Sequence, residues 1–136
     1  MNVFIVEDGV LRTPPLEGTI LPGITRASIL ELAGDLGLRA EEQRLDIEDV
    51  AEGIRSGRIT EMFAAGTAAV VTSIGELGFR RERLALGDGL PGEVAKTVYD
   101  GITAIQYGRA EDRQGWMRRV RRHAAADNGQ VLGAAS

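Results

Sequence analysis

The chain has 136 residues and a net charge of −4, enough for one domain with one core and too nearly balanced to carry a nucleic-acid-binding field. It has no cysteine, which rules out disulfides, thiolate metal sites and a cysteine nucleophile, and its single histidine, His123, cannot build a histidine-rich metal site. No apolar run approaches the ~20 residues of a membrane span. Met1 leads straight into an apolar stretch with no basic lead-in, so the expectation is a cytoplasmic protein without membrane or nucleic-acid partners.

Val3, Phe4, Ile5 and Val6 form a continuous apolar run, the pattern of a strand buried on both faces. Asp8-Gly9 is a hairpin signal, and residues 10–13 read as the return strand, stopped by Pro14-Pro15. Pro22-Gly23 bends the chain ahead of a helix predicted over residues 26–36. Ile29, Leu30, Leu32, Ala33 and Leu36 would form its buried face, Thr25 its N-cap and Gly37 its terminator. Residues 39–45 read as a short strand. Asp46 caps a second helix running to about residue 55, which Ser56-Gly57 breaks.

Ile59, Met62 and Phe63 are apolar, residues 64–68 are small, and Ala69-Val70-Val71 reads as a buried strand. Residues 74–77 and 83–86 read as two short strands around a polar hairpin. Pro91 is expected in the first turn of a last helix, with Val94, Val98, Ile102 and Ile105 on its docking face. Arg118, Arg119, Arg121, Arg122 and His123 make a basic cluster, read as solvated because the rest of the chain is acidic. The stretch beyond it offers almost nothing to bury and is expected to be disordered, so the chain divides into residues 1–117 and a tail, 118–136.

Two places allow an anion. The first amides of a helix lack internal partners and carry the positive end of the helix dipole, so the turn at Ile24 and Thr25, with the Thr25 hydroxyl, suits a phosphate. Gly23 would let a ligand approach the backbone closely. The small residues around Thr67 and Ala68 leave bare amides in the same way. Taken alone, both stretches are better read as ordinary structure: a capped helix after a Pro-Gly turn, and close packing of a strand.

The alternation of strands and helices makes an α/β domain. Asn2-Val3-Phe4, Leu11-Arg12-Thr13 and Leu21-Pro22-Gly23-Ile24-Thr25-Arg26 together resemble the signature of the class IV pyridoxal-phosphate aminotransferases. The resemblance continues through Ile59-Thr60-Glu61-Met62-Phe63, Gly66-Thr67-Ala68-Ala69-Val70, Ile105-Gln106-Tyr107-Gly108-Arg109 and Trp116. It covers residues 1–117 and is similar to the C-terminal, larger domain of the fold-type IV enzymes, the branched-chain amino-acid aminotransferases above all. It implies a pyridoxal 5'-phosphate cofactor whose phosphate sits on Ile24, Thr25 and Thr67, and a substrate carboxylate received by the amides of Thr67 and Ala68. Arg26 matches a basic signature position and reads as structural. The resemblance also implies a homodimer acting on amino acids and 2-oxo acids.

Two departures qualify it. The family signature begins with a glutamate that bonds the cofactor's pyridine nitrogen, and only Met1 precedes Asn2 here. The family's Schiff-base lysine lies further upstream still. The one lysine of this chain, Lys96, falls in the last helix among its polar positions and matches no catalytic position. The expectation is therefore a C-terminal half without its N-terminal domain, inactive alone. The other readings are a non-catalytic module of the same fold that binds phosphate-bearing ligands, a D-amino-acid aminotransferase and an aminodeoxychorismate lyase.

Overall fold

The computed structural model describes residues 1–121. Five strands form one sheet in the order β3-β2-β1-β4-β5, from β1 (Asn2–Glu7), β2 (Val10–Thr13), β3 (Ala40–Glu42), β4 (Ile59–Gly66) and β5 (Val70–Ser73). Only β2 and β3 pair parallel; the other neighbours are antiparallel. A separate hairpin joins β6 (Glu76–Phe79) to β7 (Glu82–Ala85). The helices are α1 (Ile24–Leu32), α2 (Ile47–Arg55) and α3 (Glu93–Gln106).

The central strand is β1, which explains its unbroken apolar run. Phe4 and Val6 face one side and Ile5 the other, and all three are buried. On the first side Phe4, Leu11, Phe63 and Ala65 pack under α1 and α3 through Ile29, Leu32, Val98, Ile102 and Ile105. On the second, Ile5 and Ile59 meet Val50, Ala51 and Ile54 of α2 and Leu84 and Leu86 of the β6–β7 hairpin region. The sheet is thus covered on both faces. The register of β1 against β4 slips between Val6 and Glu7, and this irregularity turns Ile59 to the face opposite Phe63.

Several local signals hold. Asp8 and Gly9 take φ of 49° and 76°, as a tight two-residue turn between β1 and β2 requires. Asp46 accepts the amides of Glu48 and Asp49, at 2.8 and 3.3 Å, at the start of α2. Gly37 takes φ 72° and closes the turns that follow α1.

Others are corrected. The first helix starts at Ile24, two residues before the expected position, and its N-cap is Gly23, not Thr25. Gly23 is extended and its carbonyl accepts the Ala27 amide at 3.0 Å; Thr25 is already helical, so its hydroxyl cannot reach the amides that a cap serves. The helix proper ends at Leu32, short of Leu36. The strand expected over 39–45 keeps only Ala40–Glu42, because β2 ends at Thr13 and offers little more to pair with. Pro91 stands outside α3, whose N-cap is Gly92. The strand after the small-residue turn is half-buried: among the described residues β5 is the sheet edge, paired with β4 alone. Of the expected tail, 118–136, only residues 118–121 fall within the described part, and these are without helix or strand.

Candidate functional site

The chain between β2 and α1 is pinned at both ends by buried polar side chains. Thr13 donates to the Val3 carbonyl at 2.7 Å. Arg26, only 4% exposed, reaches back from the first turn of α1 to the Pro14 carbonyl at 2.9 Å and pairs with Glu42 on β3. A buried guanidinium is costly unless paired and bonded, and here it ties β2, β3 and α1 together. This agrees with a structural reading of Arg26. At the far end, Asn2 donates its side-chain amide to the Leu21 carbonyl at 2.9 Å. The Gly23 amide also bonds Leu21, at 2.8 Å, in a turn centred on Pro22.

That turn delivers the start of α1 in an unusual condition. The N-termini of the other helices are held by carboxylates: Asp46 caps α2, and Glu61 of β4 accepts the Val94 and Ala95 amides of α3, each at 3.0 Å. Among the described residues α1 has neither a side-chain cap nor an acid in its first turn, and the amides of Ile24 and Thr25 donate to nothing. Ile24 is exposed and Thr25 half-buried, with no hydrogen bond to its hydroxyl among the described residues. Free amides at the positive end of a helix are preorganised donors for an anion.

The second stretch, residues 67–69, is the exposed turn joining β4 to β5. Among the described residues, the amides of Thr67 and Ala68 likewise donate to nothing. Val70, which closes the turn, has φ 59°. A β-branched residue in the left-handed region is strained by on the order of 1–3 kcal/mol, and such strain gathers at ligand sites.

Both stretches lie at one end of the sheet. Asn2 pairs with Ala65, next to Gly66 and the 67–69 turn, while its side chain touches Leu21 and Gly23 ahead of α1. The space that Gly23 leaves open is filled by Asn2, whose Oδ1 would collide with any Cβ there. The backbone approach expected at Gly23 is thus made by Asn2 and not by a ligand. Ile24 lines a hollow of ≈ 490 Å³ with Pro22, Ile102, Ile105 and Trp116. Trp116 is laid against the core by Asp112, which accepts the Trp116 and Met117 amides; the Met117 amide first, then that of Trp116, holds the Asp112 carboxyl below its ordinary range. Lys96 is exposed on α3 and lines a different hollow, with Val71, Ser73 and Tyr99, that includes none of Ile24, Thr25 or Thr67.

The sequence reading missed Asn2 as a clamp and Glu61 as a distant cap. A signal existed for Glu61: it shares the face of Phe63 and Ala65 on β4, where a charge must find a partner.

A donor set of free amides and hydroxyls, without a nearby carboxylate in the first turn of α1, fits a phosphate or carboxylate group. The family model described as amino-transferase class IV matches residues 1–77. A Staphylococcus epidermidis protein named a probable branched-chain-amino-acid aminotransferase is 45% identical over 116 residues, which are 85% of this chain and 32% of that protein. The branched-chain amino acid aminotransferase of Escherichia coli has a similar structure, with a TM-score of 0.75 and 36% identity over 88% of this chain and 36% of that one. A third, the T.th. branched-chain amino acid aminotransferase solved as a complex with N-(5'-phosphopyridoxyl)-L-glutamate, has a TM-score of 0.72 and 29% identity over 88% of this chain and 37% of that one. The chain spans about a third of the length of these relatives. The motif string, the α/β architecture and these matches agree, and the chain belongs to the class IV aminotransferases.

Proposed function

We propose that this chain is the C-terminal, cofactor-binding part of a pyridoxal-phosphate-dependent branched-chain amino-acid aminotransferase, residues 1–117 forming that unit. The complete enzyme would exchange an amino group between leucine, isoleucine or valine and 2-oxoglutarate, as a cytoplasmic homodimer. The observation that carries this reading is the pair of bare amide sets, at Ile24-Thr25 and Thr67-Ala68, at one end of the sheet. In it the amides of Ile24 and Thr25 and the hydroxyls of Thr25 and Thr67 hold the cofactor phosphate. The amides of Thr67 and Ala68 receive the substrate carboxylate. When bound, the cofactor supplies the electron sink for the reaction. This chain's own residues contribute binding and orientation: fixed backbone donors need no rearrangement to meet an anion.

The Schiff-base lysine and the glutamate partner of the pyridine nitrogen belong, in this reading, to the portion of the relatives that the chain does not span. The 136-residue chain is then expected to show no transamination. Lys96 is its one lysine and stands exposed outside the site. Reduction of the chain with borohydride in the presence of pyridoxal phosphate, followed by peptide mass mapping, should give no stoichiometric label on Lys96. Stoichiometric labelling together with turnover of leucine would overturn this assignment. Supplying the remaining portion, with its lysine and glutamate, should restore transamination of branched-chain substrates. A substrate panel then separates this activity from those of D-amino-acid aminotransferases and aminodeoxychorismate lyases.

Thr25 separates binding from folding. It is not the cap of α1 and its hydroxyl has no protein partner among the described residues. Thr25→Ala is therefore expected to shift the stability of the cofactor-free form by less than about 0.5 kcal/mol, because alanine also favours the helix. In the completed enzyme it removes a hydrogen bond to a charged group, roughly 1.5–3 kcal/mol, and weakens cofactor binding about ten- to a hundredfold. Urea unfolding of the cofactor-free form and a cofactor titration measure the two quantities; equal losses in both would remove Thr25 from the phosphate site.

A further inference from the structure

We propose that Asn2 is the positioning residue that sets the spacing between the two anion-binding stretches; this rests on the phosphate reading above. Asn2 borders both stretches at once. Its backbone is in register with Ala65, one residue before Gly66 and the 67–69 turn. Its side chain is buried, donates Nδ2–H to the Leu21 carbonyl at 2.9 Å and packs its Oδ1 against the Cα of Gly23, the N-cap of α1. Met1 completes the wedge, with its Cγ 3.2 Å from where a Cβ on Gly66 would stand.

The geometry explains why this position needs an amide. The Leu21 carbonyl requires a donor, and a buried acceptor left without one is costly. The residue must also be short, because Gly23 lies directly over it, and Gly23 is glycine for that contact and not for its backbone angle, since its φ is −63°. The Arg26 bond to Pro14 holds the other end of the same connection, so the segment can move mainly where Asn2 holds it. Losing that hold frees the start of α1 to drift from the 67–69 turn, and a phosphate bridging both would meet only one set of donors at its proper distance.

The probe is inorganic phosphate titrated into the 136-residue chain, with backbone amide shifts followed at Gly23, Ile24 and Thr25 and at Thr67 and Ala68. In the unaltered chain both sets are expected to move along one isotherm. Asn2→Ala should leave the shifts of Phe4 and Phe63 in place, weaken phosphate binding about tenfold and separate the two sets into different isotherms. Should that variant fail to fold, Asn2→Asp keeps the shape against Gly23 while removing the donor to Leu21, and Gly23→Ala displaces Asn2 by collision; both are expected to have the same effect. A folded variant that retains the single, unweakened isotherm overturns the positioning role and leaves the phosphate site standing. An unaltered chain in which neither set moves overturns both.

Discussion

Phe63→Ala is expected to bring the domain close to unfolding. Phe63 and Phe4 are direct cross-strand partners on β4 and β1, both fully buried, with ring centroids 5.2 Å apart and planes within 9°. Truncating a buried phenylalanine costs about 3–5 kcal/mol through lost transfer energy and the cavity left behind. The stacked partner adds about 0.5–1.5 kcal/mol. Domains have about 5–15 kcal/mol in total, so the loss is a large part of it. The site cannot relax easily, because Phe63 belongs to one continuous close-packed core with Phe4, Ala65 and Val98. The midpoint of urea unfolding measures the loss, and Phe63→Leu should recover most of it. A loss below about 1 kcal/mol for Phe63→Ala would mean that the two aromatic rings are not at the centre of the core.

Glu61→Ala is expected to cost about 2–4 kcal/mol and to fray the start of α3. The residue stands on the apolar face of β4 and is tolerated there because its carboxylate accepts both the Val94 and Ala95 amides at 3.0 Å. Each hydrogen bond to a charged group is worth about 1.5–3 kcal/mol, discounted here because Glu61 is only half-buried and water replaces part of it. The negative charge also meets the positive end of α3. Glu61→Gln, which keeps an acceptor but loses the charge, should cost about half as much. Hydrogen exchange at Val94 and Ala95 reports the change locally: both amides should exchange faster while those near Ile102 stay protected. The contact with Gly92 supplies an independent check. A Cβ on Gly92 would collide with the Glu61 carboxyl carbon and push the carboxylate off the Val94 and Ala95 amides, so Gly92→Ala should cost about as much as Glu61→Ala alone and little in the Glu61→Ala background. Additive losses would show that Glu61 does not hold the helix.

Elements carried by local chemistry were legible in the chain itself. Asp8-Gly9 specifies a turn wherever it stands, Asp46 finds its amides two and three residues on, and the repeat of Val98, Ile102 and Ile105 names the buried face of α3 without reference to anything else. The motif string from Asn2 to Trp116 carried the family. Boundaries were less legible, because they depend on what the neighbouring element allows: β3 is short since β2 is short, and α1 begins at Ile24 because Gly23 is fitted against Asn2. Thr25 has the chemistry of a cap, and a local reading has no means of seeing that the helix has already started.

The sequence by itself determined the α/β class, the burial of an unbroken apolar strand on both faces, the hairpin and the family, because each rests on residue types and short spacings. Only the tertiary structure decided how the candidate site is held. Glu61 reaches an amide 33 residues away, Asn2 a carbonyl 19 residues away, and Arg26 both the Pro14 carbonyl just past β2 and Glu42 on β3. These are single polar side chains, Asn2 and Arg26 buried and Glu61 half-buried, whose partners are brought near by sheet register, and no periodicity announces a partner that is close in space and far in sequence. The same register sets Ile24-Thr25 and Thr67-Ala68 at one end of the sheet, since the pairing of Asn2 with Ala65 exists only once β1 and β4 have met.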